Sequence, residues 1–109
     1  MYFPQVKSGR LVEQYQLGDY VGMVITDCSS ESLVHYEHIL FMFRSGEENP
    51  CYAVAAEMSE AAATVTDGLF LGVFPGAGHV NLGVSADWRD LEKFTAKALE
   101  LAVSHIEAL

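Results

Sequence analysis

Four consecutive residues, His35-Tyr36-Glu37-His38, carry the side chains that most directly suggest metal chemistry. Imidazole and carboxylate groups bind zinc when three or four of them converge on one ion. In an extended strand, however, neighbouring side chains leave on opposite faces, so His35 and Glu37 would share one face and His38 would lie on the other. The spacing also differs from the His-Glu-x-x-His pattern of zinc proteases. We therefore predict polar residues near the end of a strand, and no metal site.

Two cysteines, Cys28 and Cys51, are candidates for nucleophilic or disulfide chemistry. A reactive cysteine needs a base and a positive field to lower its pKa, whereas Cys28 follows Asp27 and precedes Glu31, two acids that raise it. We expect Cys28 in a loop after a strand, and Cys51 at the start of a later strand as a small buried apolar residue. The strand between them would keep the two sulfurs too far apart for a disulfide.

The segment from Gly72 to Gly83, GVFPGAGHVNLG, has the glycine content of a ligand-binding loop. It lacks the Gly-Lys-Ser/Thr ending of a phosphate-binding loop and the Gly-x-Gly-x-x-Gly pattern. Because PGAG at 75–78 joins two strand-like runs, we predict a hairpin turn instead. His79 and Asn81 would project from one face just after that turn, and they are the predicted ligand-binding residues. No catalytic residue and no cofactor are predicted.

Arg89, Lys93 and Lys97 are spaced four apart and form a basic stripe. The stripe could meet an acidic partner, but acids three residues away favour a solvated helix face with internal ion pairs. The many carboxylates do not form an EF-hand loop. Nothing in the sequence selects one pair of them for glycosidase-like chemistry, so an enzyme is the less favoured hypothesis.

Charge is distributed very unevenly along the chain, whose formal net charge is −9. Between Leu11 and Trp88 there are eleven acidic residues and one basic residue, Arg44. A surface built from this stretch repels phosphate backbones and anionic lipid. We therefore predict no nucleic acid and no membrane as partners, and a cationic protein as a possible one.

Length and hydropathy predict a single domain over residues 1–109, since the chain is too short for two. No apolar run approaches the ~20 residues of a membrane-spanning helix. The N-terminal residues do not form the apolar core of a secretory signal, so we expect a cytoplasmic protein.

Strand-like runs alternate with turn residues and predict three successive antiparallel hairpins. The predicted strands span residues 11–17, 20–26, 33–44, 51–58, 69–74 and 79–84. The stretch 53–64 also has helix-forming Ala, Glu and Met. We prefer a strand to about Met58, because the chain must return from the turn at 45–50, and allow a short helix over 59–64.

A helix follows at the C-terminus, with Ser85 or Asp87 as its predicted N-cap. Its apolar residues recur at three- and four-residue spacing and form one stripe, namely Leu91, Phe94, Ala98, Leu101, Ala102, Ile106 and Leu109. The predicted fold is α+β: an antiparallel sheet of five to six strands with this amphipathic helix packed on one face. Some strands are apolar on both faces, so the second face needs a cover. A second copy of the chain would supply it, which predicts a homodimer.

These observations favour a small, acidic, non-catalytic protein that acts by binding another protein. The predicted shape is similar to that of several bacterial chaperones and toxin-neutralising proteins, which makes the expected role chaperone-like or inhibitor-like. The alternative is a small-molecule binder or small enzyme with a pocket between helix and sheet, or at a dimer interface.

Overall fold

The computed structural model of the chain describes residues 3–4, 6–30, 35–58, 68–76 and 78–108. They form an α+β fold, a six-stranded antiparallel sheet followed by one α-helix, as predicted. Strands lie in the sheet in their order along the chain, each paired with the next. The elements are β1 (Val6–Leu17), β2 (Tyr20–Ser30), β3 (His35–Arg44), β4 (Tyr52–Met58), β5 (Leu69–Phe74), β6 (Val80–Ser85) and α1 (Leu91–Glu107).

Two glycines close the tight turns at one end of the sheet. Gly18 and Gly46 have φ of 65° and 87°, a left-handed conformation that glycine adopts without steric cost. The backbone N–H of Ser45 donates to the carbonyl of Asp19 at 2.8 Å, which joins the β1–β2 turn to the β3–β4 turn. The acidic residues of these two turns therefore lie at the same end of the sheet.

The helix begins at a different cap from the one predicted. Ser85 accepts a hydrogen bond from the Asp87 N–H at 3.1 Å, but it caps a short 3-10 turn, Ala86–Arg89. Asp90 then caps α1 by accepting from the Lys93 N–H at 3.1 Å. The prediction of Ser85 or Asp87 was wrong because the intervening 3-10 turn, with its own cap, is a local feature that helical periodicity does not reveal.

The sheet has an apolar core on each face. The helix-side core packs Phe94, Ala98 and Ala102 of α1 against β2 to β5. The small alanines let the helix backbone approach the sheet closely. On the second face, Ile39, Ala53 and Ala55 are fully buried, with partly buried Phe3, Val6, Ile25 and Phe41 packed against their cluster.

The burial of Ile39, Ala53 and Ala55 within one chain weakens the reason for predicting a dimer. That prediction assumed that the second face of the sheet is uncovered, but the middle of this face is already shielded from water without a second copy.

Strand alternation breaks at Asp27 and Glu37, which lie opposite each other in β2 and β3. Asp27 has φ of 51°, and the β3–β4 register shifts between Tyr36 and His38. As a result, Thr26 and His38 lie on the helix side, while Cys28 and Tyr36 belong to the second-face core. A paired irregularity of this kind turns both strands over without separating them.

Other predictions have mixed outcomes. The strand preferred up to Met58 is β4, whereas the short helix allowed over 59–64 lies outside the described residues. Cys28 lies inside β2 and is fully buried, so its predicted loop position was wrong. Both cysteines are free thiols, as expected from their separation.

Within the described residues, no helix is long and apolar enough to cross a membrane.

Candidate functional site

His79, one of the two predicted ligand-binding residues, pairs with a partly buried carboxylate that the sequence did not point to. Its Nε2 lies 3.1 Å from Oε1 of Glu57 on β4. The Glu57 side chain is 13% exposed, whereas His79 is 43% exposed and lies at the surface. The imidazole also stacks on Phe74, with the ring centroids 4.3 Å apart and the planes within 4° of parallel.

Gly72 makes room for this pair. Glu57 and His79 lie on opposite sides of β5, and Gly72 is the β5 residue between them. A Cβ at position 72 would lie 2.6 Å from His79 Nε2 and 2.7 Å from Glu57 Oε1, too close for either atom to stay in place. Gly72 thus has a packing role, since a glycine within a strand allows close approach of neighbouring groups.

Burial controls the electrostatics of this pair. Loss of solvent raises the pKa of the Glu57 carboxyl, and attraction to His79 only partly opposes the rise. Tyr36 is the cross-strand neighbour of Glu57. Burial raises the pKa of the Tyr36 phenol, and the Glu57 charge adds to that effect. The arrangement can therefore exchange a proton between carboxylate and imidazole, or offer both to a polar ligand.

Asn81, the second predicted residue, lies opposite Gly72 in the β5–β6 register and so on the face of His79. Its side-chain oxygen accepts a hydrogen bond from the Gly83 N–H at 2.8 Å. Gly83 has φ of 116°, which marks a local irregularity in β6. Asn81 thus stabilises its own strand, and the structure brings His79 together with Glu57 instead.

The two histidines of the His35–His38 segment make separate contacts in the structure. His35 Nε2 lies 3.8 Å from Glu37 Oε2, whereas His38 is buried on the helix side. His38 Nε2 donates to the carbonyl of Arg89 at 2.9 Å, and its Nδ1 lies 2.7 Å from Thr26 Oγ1. His38 therefore ties β2, β3 and the 3-10 turn together. Among the described residues, no three His, Cys, Asp or Glu side chains could hold a metal ion.

The cysteines are poor nucleophiles in this fold. Burial raises the pKa of Cys28 to about 12, with further contributions from the charges of Asp27 and Glu37. Burial also raises the pKa of Cys51, whose thiol donates to the Met42 carbonyl at 3.4 Å. Both thiols stay protonated at neutral pH, and the Cys28 thiol is moreover inaccessible.

A second candidate site is an apolar groove at the turn end of the second face. Cross-strand pairs Val21–Phe43 and Met23–Phe41 leave these four side chains only half buried. Next to them lies a groove of about 700 Å³ that is open to solvent. We call it the aromatic groove; it is lined by Phe3, Pro4, Val6, Phe41, Phe43, Glu48, Asn49 and Pro50.

The rim of the aromatic groove is acidic. Glu48 lines the groove itself, and Glu47 lines an adjoining depression beside Phe43. Arg44 lies next in sequence to Phe43, so its side chain leaves on the opposite face of β3. There its guanidinium carbon lies 5.8 Å from the centre of the Tyr20 ring, and Nη2 donates to the Tyr20 hydroxyl at 3.4 Å.

The basic stripe on α1 is largely neutralised within the chain. Lys93 Nζ lies 3.4 Å from Asp87 Oδ1, and Lys97 Nζ lies 3.4 Å from Glu100 Oε1. These pairs are exposed and favour the interpretation of a solvated helix face.

No protein-family model matches the chain, and no curated protein and no solved structure does so either.

Proposed function

We propose that this chain is a small non-catalytic protein that acts by binding a positively charged protein. The observation that carries the proposal is the placement of charge at the turn end of the sheet. Asp19, Glu47 and Glu48 are exposed in adjacent turns. Arg44, the one basic residue between Leu11 and Trp88, is held against the Tyr20 ring. A cationic partner would be attracted there over distances longer than direct contact.

Affinity capture from the source organism tests this proposal. The purified chain is immobilised, an extract is applied at about 50 mM salt, and bound proteins are eluted by a salt gradient and identified by mass spectrometry. We expect a partner with net positive charge whose affinity, remeasured with purified protein, falls at least about tenfold by about 500 mM salt. A partner whose affinity is independent of salt, or no partner at all, would contradict the proposal.

The Glu57–His79 pair supports a second candidate function, a small-molecule binder or small enzyme. A half-exposed imidazole held by a partly buried carboxylate is a common arrangement for a general base. The test is a screen of small polar ligands by the NMR signals of the His79 ring. Ligand-induced shifts that disappear in Glu57→Gln would favour this function, and unchanged signals throughout would exclude it.

The predicted homodimer and cytoplasmic location stay proposals. A dimer is now less needed, because the centre of the second face is buried within one chain. Analytical ultracentrifugation at micromolar concentration distinguishes the two states directly. A clean monomer mass would remove the dimer without affecting the proposed binding of a cationic protein.

A further inference from the structure

We propose that the aromatic groove is the docking site for a basic, partly apolar peptide segment of the partner protein. An apolar side chain of that segment would enter between Phe41, Phe43 and Phe3, while neighbouring Lys or Arg side chains would meet Glu47 and Glu48. The proposal depends on the proposed function and adds to it the position of the site and the chemistry of the ligand.

Shape is the first argument for this occupant. Phe41 and Phe43 line the groove with apolar rings, and both side chains are only half buried. Their rings lie 6.4 Å apart and tilted by 44°, within the range of aromatic pairs in contact, so the two rings together form one apolar wall of the groove. Aromatic side chains are enriched in the cores of protein interfaces. A leucine, methionine or aromatic side chain has the size to pack against this wall.

Charge favours a basic segment in the groove over a second copy of the chain or nucleic acid. Glu48 lines the groove, and Glu47 lines the adjoining depression, which Arg44 also lines. The Arg44 side chain donates to the Tyr20 hydroxyl on the other face of β3 and offsets part of the Glu47 charge, so Glu48 contributes most to the acidity of the groove. A second copy of this chain would bring another net charge of −9 to the same surface, which opposes association. Nucleic acid is disfavoured for the same reason. A basic segment instead gains favourable pairs at the rim while its apolar side chain is buried.

The test uses a fluorescently labelled synthetic peptide of about ten residues in which Lys and Arg alternate with Leu and Trp, measured by fluorescence anisotropy against the whole chain. One control peptide replaces the basic residues by Glu, and another replaces the apolar residues by Ser. We expect the first peptide to bind at low salt, and each control peptide to bind at least about tenfold more weakly.

Variants place the binding on the molecule. Glu47→Lys with Glu48→Lys should weaken binding at least about tenfold, since it reverses two charges in an exposed turn. Phe43→Ser should do the same by removing one wall of the groove. The matched controls are Glu92→Lys with Glu107→Lys on the exposed side of α1, and Leu82→Ser, which removes a 49% exposed apolar side chain from β6. Circular dichroism checks that each variant is folded.

Three outcomes would overturn the proposal. The peptide does not bind the folded chain; or it binds equally well after both groove substitutions; or Phe43→Ser converts a dimer into a monomer, which makes a second copy the occupant. The proposed function fails separately, when no cationic partner is captured from the source organism. A captured cationic partner that still binds both groove variants would preserve the function and remove only the groove.

Discussion

The side chains of Glu57 and His79 meet across β5, a strand that contains neither residue, with Glu57 Oε1 3.1 Å from His79 Nε2. Glu57 lies on β4, His79 directly precedes β6, and β5 runs between them with Gly72 at the crossing point. The pair therefore connects next-nearest neighbours in the sheet and holds the β5–β6 hairpin to β4.

Gly72→Ala tests this connection. The added Cβ would lie within 2.7 Å of both His79 Nε2 and Glu57 Oε1. Both atoms end flexible side chains that can move aside, so we expect the pair to separate and the free energy of unfolding to fall by about 0.5 to 1 kcal/mol. Chemical denaturation measures the change. Gly9→Ala is the matched control, because a Cβ there meets its nearest atoms at 3.4 Å, an ordinary contact. Equal stability of the two variants would show that Gly72 is not required by the pair.

Glu57→Gln tests the electrostatics of the same pair. Burial holds the pKa of Glu57 above its ordinary value of 4.5 in the folded chain, so folding is penalised at neutral pH and the penalty disappears as the carboxyl takes up a proton. Relative to Glu57→Gln, the wild-type chain should therefore gain stability as the pH falls from neutrality toward 4.5, the ordinary pKa of the carboxyl. Urea denaturation across this range measures the difference. Glu48→Gln, in an exposed turn, should follow the wild type; a wild type that loses stability relative to Glu57→Gln would contradict the expected sign.

Thiol reactivity gives a test of the core on the second face. With its pKa raised to about 12 and its side chain fully buried, Cys28 should not react with a thiol reagent at pH 8 while the chain is folded. Only Cys51, which is partly exposed, should react in native conditions, and slowly. In denaturant and without reductant, the same reagent should count two free thiols per chain, because Cys28 and Cys51 do not form a disulfide. Rapid native modification of Cys28, located by mass spectrometry, would show that this core is open.

His38→Ala should be among the most destabilising single substitutions of a polar residue. It removes a buried ring, the hydrogen bond from that ring to the Arg89 carbonyl and the contact with Phe94, at a cost of about 2 to 4 kcal/mol. His35→Ala, three residues earlier and exposed, should change stability by less than about 0.5 kcal/mol. Thermal unfolding of the two variants provides the comparison, and similar melting temperatures would contradict the assigned role of His38.

Local sequence signals predicted the fold well because the turns carry strong conformational preferences. Gly18-Asp19 and the turn at 45–50 set the first two antiparallel connections, and the run LFLGVF coincides with β5, Leu69–Phe74. The strands at the N-terminal side are longer than predicted. β1 begins at Val6 and β2 continues to Ser30, because pairing between them extends past residues with weak strand propensity.

The sites were less predictable, because they depend on contacts between distant residues. His79 was identified from its position after a turn, but Glu57 could not be, since its pairing depends on the register of three strands. The break in alternation at Glu37 sends Tyr36 and His38 to opposite faces, against a regular strand pattern. Asp27, opposite Glu37, has φ of 51°, a conformation that aspartate tolerates better than most residues, but only the structure reveals that this aspartate adopts it.

Docking of a basic partner in the aromatic groove is tested most directly by NMR mapping on the isotope-labelled chain. Titration with the basic, partly apolar peptide should move the backbone amide signals of Val21, Met23, Phe41, Phe43, Glu47 and Glu48, and the shifts should decrease as salt is added. Signals of α1 should stay in place. Shifts confined to α1 or β6, or shifts that salt does not affect, would contradict the account.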